Sequence, residues 1–96
     1  MMEQRAVAAI RCIRTERSIR RLQQRTEQVE YDLVLTENAV ISYERDFPLV
    51  KVWDMSVRAV AVRCWFLYLH TDEGVFAFRT EESPDVFIDR YRNMKT

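Results

Sequence analysis

His70 is the single histidine of the chain, and Asp72 and Glu73 follow it closely. An imidazole beside carboxylates is the pairing that general acid–base chemistry uses. No Ser or Cys nucleophile stands near it in sequence. A histidine at the end of a strand, beside a solvated turn, explains the same three residues without catalysis. Cys12, Cys64 and His70 supply zinc-ligand types, but no two of them have the short spacing of a zinc site. A lone glycine excludes a phosphate-cradling loop. Glu81, Glu82 and Asp85 resemble a metal clamp, yet acids at a helix start already complement the helix dipole. These residues therefore predict no catalytic centre, no metal and no cofactor.

Two other groups of residues carry binding chemistry. Trp53, Trp65 and Tyr68 offer rings on which bases or peptides stack, although aromatic side chains more commonly fill small cores and interfaces. The second group is a basic arm. Residues 1–25 hold seven arginines against two glutamates, a net of +5, and residues 26–96 hold eight bases against thirteen acids, a net of −5. Such an arm rests on its own body, on the body of a second copy, or on nucleic acid or anionic lipid. The acidic body repels approaching phosphates. The arm also lacks the large aromatic residues that anchor interfacial helices. Self-association, most simply a dimer, or another protein partner is thus expected ahead of nucleic acid, and no membrane contact. The interface is expected to use Ile10, Ile13, Arg14, Arg17, Ile19, Arg21 and Leu22 of the arm, with Trp53 and Trp65. A small nucleic-acid-binding regulator that uses the arginines is the alternative.

The elements that must position these residues follow from periodicity. The 96 residues, 48% of them hydrophobic, suit one small globular domain. Residues 3–24 contain no Gly or Pro and are rich in helix formers. Met2, Ala6, Ala9, Ile10 and Ile13 share a helical face, so a helix is expected, with 1–26 as a helical arm and 27–96 as the body. A competing reading breaks the arm near Thr15 and pairs residues 16–25 as an edge strand. Alternation predicts strands over 28–35, 39–45, 49–53, 57–63, 64–70 and 75–80. A bend is expected at Asp54-Met55-Ser56, and Gly74 supplies a hairpin turn. Ser83-Pro84-Asp85 is a helix start. Phe87, Ile88, Tyr91 and Met94 then form an apolar stripe. The expected class is α+β: an N-terminal helix, a bent antiparallel sheet of about five to six strands and a C-terminal amphipathic helix.

The order of the last elements carries a resemblance. A strand apolar on both faces (Trp65-Phe66-Leu67-Tyr68-Leu69), a tight turn, one more strand and a closing helix from Pro84 through Phe87 resemble the ending of small bacterial pleckstrin-homology-like domains. The match covers residues 28–95 and is one of element order. The family has seven strands, against about six read here. The basic loop between the first two strands, which binds phosphoinositide headgroups in eukaryotic members, has no counterpart, because the turn read there, Thr36-Glu37-Asn38, is acidic. The resemblance implies a scaffold rather than lipid binding. No signal peptide or membrane-length apolar run is evident, and two cysteines cannot staple a secreted mini-protein, so the cytoplasm is expected. The expectation is a non-enzymatic binding or assembly module.

Overall fold

A computed structural model describes residues 5–20 and 23–95. Seven antiparallel strands and one helix follow in the order β1 (Ala6–Arg20), β2 (Gln23–Thr36), β3 (Ala39–Ile41), β4 (Asp46–Pro48), a 3-10 turn (Leu49–Lys51), β5 (Val52–Ala61), β6 (Cys64–Thr71), β7 (Gly74–Thr80) and α1 (Asp85–Lys95). The sheet order is β4-β3-β2-β1-β7-β6-β5. Two meanders, β1–β4 and β5–β7, are joined where β1 meets β7.

The N-terminal helix is not formed, and the class is a small β-rich fold rather than α+β with a helical arm. Residues 6–20 instead pair along their whole length with β2, from Ala6↔Thr36 to Arg20↔Gln23. The reason is tertiary. Ile10 and Cys12 alternate with exposed Arg11, and both are buried beside Leu33 and Leu35 of β2. A period of two that reaches a core outweighs helix propensity, which is a weak preference. The arm thereby supplies a strand, and the count is seven rather than five to six.

Three smaller expectations also change. Residues 49–51 form a 3-10 turn and not a strand. No chain reversal occurs at Asp54-Met55-Ser56. Those residues continue β5, whose register is shifted between Val52 and Asp54. Strand β3 covers Ala39–Ile41 alone, and Ser42 and Arg45 close a turn before β4.

The core lies between the two meanders and α1. Phe87, Ile88 and Tyr91 of the helix cluster with Ile10, Leu35, Val40, Val52, Met55 and Leu69 of the sheet. Three further polar contacts fix the helix. Tyr91 donates to the Val52 carbonyl at 2.9 Å, Arg92 to that of Met55 at 3.1 Å and Lys95 to that of Leu49 at 3.1 Å. Buried threonines at strand ends hold the turns, since each hydroxyl accepts from a backbone N–H two residues on: Thr36 from Asn38, Thr71 from Glu73 and Thr80 from Glu82. Gly74 has φ +125°, a conformation that favours glycine.

Candidate functional site

The ladder between β1 and β7 consists of two pairs, Cys12↔Thr80 and Ile13↔Arg79. Beyond Ile13, β1 and β2 leave the body as a two-stranded ribbon. Among the described residues, its only strand pairing from Arg14 to Val29 is with itself. Thr15, Glu16, Arg17 and residues 23–28 are exposed. The opposite edge of the gap, β7 from Gly74 to Phe78, has β6 on one side and, among the described residues, no strand on the other.

The expected interface residues are dispersed by this geometry. Ile10 and Ile13 are buried within the chain itself, so neither offers apolar surface to a partner. Arg14 turns back onto the body. Arg17 is exposed on the ribbon. Ile19 pairs with Gln24 through its backbone. Arg21 and Leu22 lie outside the described residues, as does Met2. Trp53 is 63% exposed at the start of β5. Trp65 is half-buried at the start of β6 and shares its alternation with core-facing Leu67, so the two tryptophans do not form one surface.

A groove of about 500 Å³ opens where the ribbon departs from β7. Its wall is aromatic and its rim is cationic. The Arg14 guanidinium lies 3.9 Å from the ring centroid of Tyr43, which packs on Tyr31 at 5.0 Å. Arg45 sits over Phe47 and Phe76 at 4.8 and 5.0 Å. Each guanidinium also has a carboxylate: Glu16 for Arg14 and Glu73 for Arg45. Burial pushes the Cys12 thiol up to about 12 and raises the Tyr31 phenol as well. Both remain neutral, and Cys12 is no nucleophile at ordinary pH.

The second surface is the outer face of β5–β6–β7. Leu67, Leu69 and Thr71 of β6 point to the core, so Phe66, Tyr68 and His70 stand on the other side. His70 meets no carboxylate of its own turn. Its Nε2 lies 2.7 Å from Ser56 Oγ, and its ring is 5.5 Å from that of Trp53. Glu73 is engaged by Arg45 instead. Ser56 is distant in sequence and is delivered by the pairing of β5 with β6, a contact that sequence spacing does not reveal. The pair has the atoms of a base and a hydroxyl nucleophile. Among the described residues, Ser56 is the one hydrogen-bond partner of the His70 ring, so no third group orients it. Cys12 lies in the core, whereas Cys64 opens β6 at a half-buried position. Among the described residues, no three His, Cys, Asp or Glu side chains are grouped to hold a metal.

The Phe66 row of this face was not singled out by sequence reading. Arg58 of β5, Phe66 of β6 and Arg79 of β7 stand in register across the sheet. Phe66 and Tyr68 are stacked, with centroids 6.3 Å apart and planes 26° apart. The signal available in the sequence was the even-numbered alternation of β6, which puts Phe66 and Tyr68 on one face and Trp65 on the other.

No protein-family model, curated protein or solved structure matches this chain. No described helix is long and apolar enough to cross a membrane.

Proposed function

We propose that this protein is a non-enzymatic assembly module of the cytoplasm that self-associates through its N-terminal ribbon. One observation carries the reading: the β1–β7 ladder stops at Ile13↔Arg79 and leaves two open edges, Arg14–Arg20 of β1 and Gly74–Phe78 of β7. Open edges are templates for strand addition. A two-stranded ribbon is also marginally stable by itself in water. Two copies related by a two-fold axis satisfy both needs, because the ribbon of each continues in trans the ladder abandoned in its own chain. Charge favours the same arrangement. Arg17 and Arg25 are exposed on the ribbon, and exposed Asp72 flanks the Gly74 end of β7.

Seven strands, the first drawn from the arm, with a closing helix support a pleckstrin-homology-like scaffold. The Thr36-Glu37-Asn38 turn joins β2 to β3 and not the first two strands, so its acidity carries no weight for or against lipid binding. Two free thiols support the cytoplasmic assignment.

The test is light scattering over rising protein concentration, paired with hydrogen exchange. Self-association predicts a dimer mass and concentration-dependent protection of amides in both 14–20 and 74–78. A monomer mass at hundreds of micromolar, with exchange of those amides independent of concentration, overturns the reading.

A further inference from the structure

We propose that the outer face of β5–β6–β7 is a stacking platform for single-stranded nucleic acid. The proposal goes beyond the assembly reading and does not rest on it; residues 26–96 are acidic in sum, but this face of them carries Arg58 and Arg79. It starts from the row Arg58–Phe66–Arg79, in which one aromatic ring is flanked on both neighbouring strands by a guanidinium. Neither arginine has a carboxylate partner among the described residues. Adjacent strands lie about 4.8 Å apart, so both arginine side chains are rooted within a side-chain length of the ring.

The next row is Ser56–Tyr68–Ala77. Its flanking residues on both neighbouring strands are small, and Phe66 stacks on the Tyr68 ring along the strand. Phe66 and Tyr68 are half-buried although they point away from the core, and Phe66 also lines the groove beside β1. At the far end, Trp53 is 63% exposed beside His70. Asp54, in register with His70, lies 4.0 Å from Arg92 of α1.

Rings in a line with free guanidiniums beside them match a ligand that alternates flat π-faces with anions. Single-stranded nucleic acid has that chemistry, since every base presents a stacking face and every linkage a phosphate. A duplex presents the phosphates but hides the base faces. An acidic peptide presents the charge without the rings. The groove of about 500 Å³ begins at Phe66, Ala77 and Arg79 and provides a recess beside the platform for a splayed base.

The experiment is fluorescence anisotropy on the full chain with labelled oligouridine and oligothymidine of roughly 15 nucleotides. A duplex of equal length is the comparison, at about 50 and about 200 mM salt. Expected is single-strand binding that weakens with salt and exceeds duplex binding. The two strands separate RNA from DNA preference. Phe66→Leu keeps apolar bulk in place but removes the stacking ring, and should weaken binding about fivefold or more. Arg58→Gln with Arg79→Gln, on the sheet face turned away from the core, should flatten the salt slope by about 0.7 for each phosphate no longer neutralised. Arg90→Gln, an exposed change on α1, should alter neither. The proposal is overturned by absent single-strand binding at the lower salt, by equal or tighter duplex binding, or by face variants that bind as the parent does.

Discussion

The hydroxyl of Tyr91 donates a 2.9 Å hydrogen bond to the carbonyl of Val52 and so ties the last turns of α1 to the first residue of β5. Both residues are buried, and the ring fills the space between the helix and the sheet. Tyr91→Phe keeps the ring and strands the carbonyl. Leaving a buried acceptor without its donor costs about 1–3 kcal/mol. Urea unfolding should show that loss as a lower midpoint at unchanged slope. An unchanged midpoint would mean that water replaces the hydroxyl without cost.

The helix as a whole should be indispensable. Phe87, Ile88 and Tyr91 are buried, and burying each side chain contributes roughly 1.5–3 kcal/mol, against a total stability of about 5–15 kcal/mol for a domain. Ending the chain before Ser83 should give a product with no cooperative melt by circular dichroism. A soluble fragment that melts cooperatively would show α1 to be an appendage.

Alkaline stability should depend on Cys12. Burial raises its pKa from 9.0 to about 12 in the folded chain. The folded thiol therefore keeps a proton that the unfolded thiol releases. The associated stability is complete below pH 9 and is lost as pH rises from 9 toward 12. Tyr31, also raised by burial, acts in the same direction. Urea midpoints of Cys12→Ala should fall less than those of the parent between about pH 8 and about pH 11. Parallel curves would contradict the assignment.

The two tight turns should respond oppositely to substitution. At Gly74, φ is +125° and an added Cβ would meet nothing within 4 Å. Gly74→Ala thus carries a backbone cost alone, on the order of 1–3 kcal/mol. Arg63 already bears a side chain at φ 56°. Removing that side chain relieves left-handed strain of about 1–2 kcal/mol, offset by the roughly 0.5–1 kcal/mol of extra unfolded-chain entropy that glycine brings. Thermal melts should place Gly74→Ala well below the parent and Arg63→Gly at or slightly above it. Equal losses would contradict this.

The parts of the fold that local chemistry dictates were legible in the sequence. Ser83-Pro84-Asp85 and the Phe87, Ile88, Tyr91 stripe specify α1 within a dozen residues. The Thr71–Gly74 turn and the alternation of residues 64–71 specify the last hairpin in the same way. The arm was not legible, because its two tendencies conflict. Ala, Arg, Gln and Glu favour helix locally, and only the long ladder to β2 and the burial of Ile10 and Cys12 turn Ala6–Arg20 into a strand. The sites depend on the same kind of distant decision. Ser56 reaches His70, and Arg58 and Arg79 come to flank Phe66, through strand register. A slip of one residue would turn each of those side chains to the opposite face. Side-chain chemistry is thus written along the chain, while the juxtaposition that makes a surface of it is set by which edges pair, a choice governed by core burial over the whole sheet.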